Sequence, residues 1–327
     1  MEEQENKDSS EENEIDFSNK IALPQAAFSG EEAIAILILK WCPEFENFSI
    51  LRTDNENEIE KCAIKISIQG EYNHENKTYV KITNANFPDM PSTLSVAGVV
   101  YGHYGTIAIR NKLKNYKFDN EESDIKFIFK KLYNSIIEPL DKGEYSDIRN
   151  LAQILDPIED PDPYVKQELF EHLIHIIEEQ FDQRLQYFTK KFIPSRNILR
   201  RYVQDPKNLS KDILVLPTYI PLEQNIDIIQ AKSNPKNPIR FVSMPRSTGD
   251  AGVYALKLRP NNRLRYCGAR NESLTSCLQN FPNIDCWIHP NGTIGGFPTL
   301  NYASEYLRQI TKVDKGSLQS SSTKDVF

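Results

Sequence analysis

The sequence predicts an α/β protein built in two parts. Strand-like and helix-like runs alternate over residues 21–140, which implies a parallel sheet covered by helices. A cluster of helix breakers, Asp156-Pro-Ile-Glu-Asp-Pro-Asp-Pro163, separates this region from the rest of the chain. Beyond a long helical stretch, a second and smaller set of strands and helices begins near residue 205. A length of 327 residues suits two domains of roughly 100–200 residues each.

In chain order, residues 1–20 are rich in Glu, Asn and Ser without apolar periodicity, so they are expected as a disordered acidic tail. Order is expected from Ile21. Glu31 to Trp41 reads as a helix buried on most sides, capped by Ser29 or Gly30. Phe48 to Arg52 is a short strand, and Cys62 to Ile68 alternates as another. Leu94 to Leu113 and Asp124 to Leu140 read as helices, the first crowded with glycines. Tyr164 to Gln204 places Leu169, Leu173, Ile176, Ile177, Phe181, Leu185 and Phe188 at helical spacing, with Pro194 expected to break or kink it. Strands are expected at Ile213 to Leu216, Arg240 to Ser243, Val253 to Leu258 and Cys286 to His289. Helices are expected at Glu272 to Leu278 and Leu300 to Ile310. The expected organisation is an α/β domain over 21–155, a helical connector over 156–204, a smaller α/β domain with a Gly-Gly turn over 205–314, and a tail over 315–327.

Composition excludes several classes. Hydrophobic residues make up 39% and charged residues 26%, as in ordinary globular chains. No apolar run approaches the roughly 18–20 residues of a membrane span, so no membrane partner is expected. The N-terminus lacks the basic and apolar regions of a secretory signal. Five irregularly spaced cysteines make no disulfide framework, which suits a reduced, cytoplasmic protein.

The net charge of −7 hides an asymmetry. Residues 1–20 hold eight acids and two lysines, a net of −6. Residues 190–270 hold sixteen Lys/Arg against five acids, a net of +11. Such asymmetry points to a polyanionic partner, or to charge-complementary faces within the protein. The arginines Arg196, Arg200, Arg201, Arg240, Arg246, Arg259, Arg263, Arg265 and Arg270, with Tyr266 among them, are the candidate RNA-binding residues. Arginine's planar fork suits phosphate, and an interleaved aromatic suits stacking. Gly295 and Gly296 join that set, because a glycine pair lets backbone amides approach a phosphate; a tight turn is the alternative. His172 and His175 have no companion ligands and read as solvated. Cys286-x-x-His289 lacks a second pair for zinc.

Several segments, taken in order, resemble the melanocyte-proliferating-gene family of metal-dependent exonucleases, built on the DHH phosphoesterase fold. Cys286-Trp-Ile-His289-Pro-Asn-Gly292-Thr-Ile294-Gly295-Gly296 resembles the family's closing signature. Glu179-Gln-Phe181-Asp-Gln-Arg184-Leu185-Gln-Tyr187, running to Ile193-Pro194-Ser195-Arg196, resembles its Phe-x-x-Arg-Leu helix and Leu-Pro-x-Arg turn. Leu94 to Tyr101 resembles its Ser-x-Ala-Gly-Leu-x-Tyr helix start. The resemblance covers residues 21–311. It implies a DHH-like parallel-sheet domain, a helical connector and a smaller C-terminal domain.

The positions that carry metal in that family depart from its pattern. Its opening His-x-Gly-x-Phe-His-x-Asp-Glu falls on Pro24-Gln-Ala26-Ala-Phe28-Ser29-Gly-Glu31-Glu32. Pro24 and Ser29 replace the histidines, and Glu31 replaces the aspartate. Ser67 stands where the resemblance implies a ligand aspartate. Val80, Lys81 and Ile82 follow Tyr79 where Asp-His-His is implied. The later acidic ligand falls on Glu138 or Asp141. Two-metal hydrolysis needs carboxylates and imidazoles holding cations about 3.5–4 Å apart. Ser67, Val80 and Ile82 offer neither charge nor strong lone pairs. The sequence therefore leads to the expectation of a protein that is not an enzyme, with no cofactor and no metal. Its expected role is RNA and ribosome binding, without DNA, as a ribosome hibernation factor occupying tRNA sites; it resembles in this a ribosome dormancy factor of microsporidian type. A divergent manganese-dependent RNA exonuclease is the alternative, and a protein scaffold is the second.

Overall fold

The computed structural model describes residues 16–26, 29–116, 122–144, 146–156, 162–205, 209–210, 212–223, 225–232, 238–256 and 262–321. Two compact units divide at residue 190.

In the first unit the chain runs β1 (Lys20–Leu23), α1 (Gly30–Lys40), β2 (Ser49–Arg52), α2 (Glu56–Lys61), β3 (Ile64–Ile66), β4 (Thr78–Tyr79), α3 (Val96–Leu113), α4 (Glu122–Leu132), α5 (Glu138–Asp141), α6 (Asp147–Leu155) and α7 (Pro163–Tyr187). The strands form a parallel sheet of order β2-β1-β3-β4. This is the α/β class that the sequence predicts.

Local chemistry fixes the first helix. The Ser29 hydroxyl accepts from Glu32 N, and the Glu32 carboxylate accepts from Ser29 N, a reciprocal capping box. Glu31 and Glu32 stand at the positive end of the helix dipole and Lys40 at the negative end. Between them Ala33 to Leu39 are buried, and the helix packs against α3 and α7. Burying each Ile or Leu there is worth about 1.5–3 kcal/mol.

The expected helix Asp124 to Leu140 is interrupted. A π-type turn over Tyr133–Ile137 follows α4, and Pro139 opens α5. Proline lacks the amide that an uninterrupted helix would use. The expected connector 156–204 is shared between the units: α7 packs on α1 and α6. Residues 188–192 then form a second π-type turn, and α8 (Ile193–Gln204) starts with Pro194 in its first turn.

The second unit contains α8, β5 (Leu209–Ser210), β6 (Ile213–Val215), α9 (Ile226–Lys232), β7 (Phe241–Pro245), β8 (Ala251–Ala255), α10 (Asn271–Thr275), β9 (Trp287–Ile288), β10 (Ile294–Phe297) and α11 (Leu300–Ser321). The sheet is mixed, in the order β5-β6-β7-β8-β10-β9; among the described residues β6 and β7 pair parallel and the other neighbours antiparallel. Alternate residues feed two cores. Leu214, Val242 and Met244 pack with Leu199 and Val203 of α8 and Ile229 of α9. Ile213, Phe241 and Val253 pack with Leu274 of α10 and Ala303, Tyr306 and Leu307 of α11. The period of two along each strand thus separates the two faces. The last helix runs to Ser321, into the segment expected as a tail.

The glycine pair departs from the expected turn. Gly295 and Gly296 are the middle of β10, flanked by β8 and β9. A Cβ on Gly295 would lie 2.8 Å from the Trp287 carbonyl and 2.9 Å from Val253 Cγ2. The glycines serve close strand packing, and their amides face ladder partners rather than a phosphate. Among the described residues no helix is long and apolar enough to cross a membrane.

Candidate functional site

The parallel sheet of the first unit gathers the positions singled out by sequence at one edge. From β1 the chain passes to β2 on one side and later to β3 on the other, so β1 and β3 flank a topological switch point. Open α/β sheets bind ligands outside the carboxyl ends of such strands. Pro24 follows β1, and Ser29, Glu31 and Glu32 open α1. Ser67 follows β3, and Val80, Lys81 and Ile82 leave β4. The Ile82–Leu94 bridge ties that exit to the start of α3. Phe28 lies outside the described residues.

Each acid at this edge already has a partner. Glu31 accepts from Nε and Nη2 of Arg149 on α6. Glu32 is 5% exposed. Burial raises its carboxyl above the ordinary value, against the pull of Arg52 and of hydrogen bonds from the Ser29 amide and the Ser67 hydroxyl. Arg52 donates to the Pro24 carbonyl at 2.9 Å and stacks 4.3 Å from the Phe170 ring centroid. Ser67 sits at φ +56°, a left-handed conformation uncommon outside glycine. Glu138 pairs with Lys142 at 2.7 Å. Asp141 is buried and accepts from Ser95 N at 2.8 Å, Ser95 Oγ at 2.6 Å and the Tyr133 hydroxyl at 2.6 Å. Burial raises its carboxyl too, and those bonds oppose the shift. Gly98 makes room for it, since a Cβ there would strike the carboxylate. Asp141 thereby fastens the N-terminus of α3.

These residues do not fit the two-cation centre that the DHH resemblance implies. Glu31 is neutralised by Arg149, and Asp141 already accepts three hydrogen bonds. Lys81 adds a positive charge at the exit of β4. Among the described residues no three His, Cys, Asp or Glu side chains gather to hold a metal.

The same edge carries a cluster that sequence reasoning missed. His74 and His103 stack with ring centroids 3.7 Å apart and 4° between planes. The Tyr72 hydroxyl lies 2.6 Å from His103 Nε2, and Tyr79 links His74 at 3.1 Å to Tyr104 at 2.7 Å. Phe87 meets His103 edge-on at 4.9 Å. Tyr72, Lys81, Phe87 and His103 line a cleft of about 760 Å³. The only signal in the sequence was a pair of histidines among tyrosines, separated by nearly thirty residues.

The profile of MYG1_exonuc, described as Uncharacterised protein family (UPF0160), matches residues 20–309. The chain belongs to the MYG1 family. It is 26% identical over 310 residues to the MYG1 protein of Dictyostelium discoideum, covering 85% of this chain and 92% of that one. It is 25% identical to the MYG1 exonuclease of Mus musculus, covering 89% and 85%. To the MYG1 exonuclease of Homo sapiens it is 23% identical, covering 88% and 85%. MYG1 membership corrects the expectation of a protein that is not an enzyme. The mouse, rat, bovine and human relatives are named exonucleases, so the family is one of enzymes. The departures at Pro24, Ser29, Ser67 and Val80–Ile82 are facts of this member's site; inactivity does not follow from them.

The arginines of this MYG1 chain do not form one surface. Arg196 has a side chain 11% exposed and grips Asp227 with both terminal nitrogens, at 3.0 and 2.6 Å. Arg200 donates to Asn197 Oδ1 and Arg201 to the Asn197 carbonyl. These three stand on α8, which covers one face of the second sheet. Arg263, Arg265, Tyr266 and Arg270 lie by the other face, where Leu264 and Leu274 are core residues. Arg263 and Arg270 are exposed. Tyr266 donates to the Cys277 carbonyl at 3.2 Å, and the Arg265 carbonyl accepts from Tyr306. Arg246 is paired with Asp250 and lies over Trp287, while Arg240 lies over Phe241. Arg259 is outside the described residues. His172 and His175 are exposed on α7, and His289 accepts from Asn291 N beside the buried Cys286.

Proposed function

We propose that this chain is an RNA exonuclease, releasing nucleotides from a single strand. The observation that carries this reading is the extent of the family match, residues 20–309, with relatives named exonuclease. The convergence of β1, β3 and β4 ends at a switch point supports it. The side chains present do not supply a metal cage of the DHH kind. The chain's own residues offer Lys81 as a cation for phosphate, and Glu32 as a carboxyl whose burial favours the protonated form. The deciding experiment incubates the full chain with end-labelled single-stranded RNA, once with manganese and once with a chelator. Nucleotide release, reduced by Glu32→Gln, supports the reading. No release in either condition sinks it.

A second reading concerns where the RNA is met. The net +11 of residues 190–270 favours a large RNA–protein particle. The ribosome is the partner proposed, in the narrow form at its tRNA sites. Co-sedimentation of native protein with ribosomal particles at low salt, released at high salt, is expected. Migration as the free chain at both salts removes it.

A further inference from the structure

We propose that the cleft at the exit of β4 is a nucleotide subsite, taking one base against Tyr72, Phe87 and His103 and its phosphate against Lys81. The proposal rests on the RNA reading above and gives it a location. At about 760 Å³ the cleft falls in the range of small-molecule sites. Its walls come from three segments: the loop after β3, the exit of β4, and α3.

The cleft is built before any ligand arrives. The exit of β4 is tied down twice, by Ile82 N to the Leu94 carbonyl at 3.0 Å and by Ala85 N to the Ser92 carbonyl at 2.7 Å. His103 is fixed by the Tyr72 hydroxyl, by the His74 ring stacked on it and by the edge of Phe87. Phe87 in turn lies against Gly102, where a Cβ would come 2.8 Å from its ring. The rings are therefore oriented by one another. Yet Tyr72, Phe87 and His103 are each only half-buried. Fixed aromatic surface left open to a cleft is what a base needs, since every base has a π-face.

The polar groups suit the rest of a nucleotide. Asn84 and Asn86 are exposed on the rim, and their amides donate and accept as a base edge does. Lys81 is exposed and places a cation where the resemblance implies acidic and imidazole ligands. A phosphate thus meets one cation without a bound ion, and Glu71 is the one acid on the same lining. His103 supports this indirectly: burial and His74 hold it down to about 4, so the ring is neutral at pH 7 and stacks as a neutral heteroaromatic.

The test is calorimetric titration of the full chain with adenosine 5′-monophosphate, and separately with adenosine. Saturable binding of the monophosphate is expected. Phe87→Ala is expected to weaken it about 5- to 150-fold, the range for losing one stacked base. Lys81→Glu changes an exposed side chain. It is expected to weaken the monophosphate while leaving adenosine unchanged, with an unaltered melting curve. Absence of binding to the unmodified chain, or binding by both variants as tight as before, overturns the subsite. RNA degradation without mononucleotide binding removes the subsite and leaves the exonuclease reading. Binding lost in Phe87→Ala, in a chain that degrades no RNA, leaves the subsite and removes that reading.

Discussion

His103 is the residue whose protonation the fold most clearly opposes. Burial and the adjacent His74 ring lower it to about 4 from an ordinary 6.5. The unfolded chain therefore takes up a proton near pH 6.5 that the folded chain refuses until about pH 4. Stability from this group is complete above pH 6.5 and is lost as pH falls towards 4. Glu32 and Asp141 act in the opposite sense: their folded carboxyls are raised, so their contribution is lost as pH rises. Comparing two proteins isolates the histidine. The unmodified chain should lose more Tm between pH 7.5 and pH 5 than His103→Gln; equal losses would remove His103 from the account. None of this was legible in the sequence. The partners of His103 are Tyr72 and His74, 31 and 29 residues away. For the same reason, sequence matched Glu31 to a ligand position without showing that Arg149 neutralises it.

At the scale of elements, legibility followed length and capping. The helix at Gly30–Lys40 was readable because a cap at Ser29 or Gly30 precedes a continuous apolar run; the structure settles the cap on Ser29, boxed with Glu32. The helix at Val96–Leu113 was readable for its length, while its cap at Ser95, one residue inside the expected start at Leu94, came only with the structure. Strand β4 has two residues, too few to show a period. Strand β10 was misread because Gly-Gly is a turn signal when only local preference is weighed. Its meaning is tertiary: Trp287, Ile288 and Val253 crowd the space a side chain would need. Gly295→Ala should therefore destabilise the protein by about 1–3 kcal/mol, the cost of overpacking a close contact. Denaturant unfolding measures it, and a change within error would show that β9 yields freely.

For the whole molecule, the basic stretch read as one patch is divided by the second sheet. Arg196, Arg200 and Arg201 ride on the helix over one face, with Arg196 spent on Asp227; Arg263 and Arg270 lie exposed by the other. A single strand of RNA on one face of this unit meets one group and not the other. Each neutralised phosphate contributes about −0.7 to the slope of log affinity against log salt for a single strand. Arg263, Arg270 and Arg201 are exposed and Arg200 is half-buried, and the Arg200 and Arg201 side chains are each turned back along α8 to Asn197. The double reversal Arg263→Glu and Arg270→Glu should flatten the slope by about 1.4, and reversal of Arg200 and Arg201 should leave it within error. Filter binding of single-stranded RNA across a salt series reads both. The opposite assignment would put the strand on the face of α8. Equal flattening by both pairs would mean that RNA wraps the sheet from both sides, and the charge of residues 190–270 would then act as one surface after all.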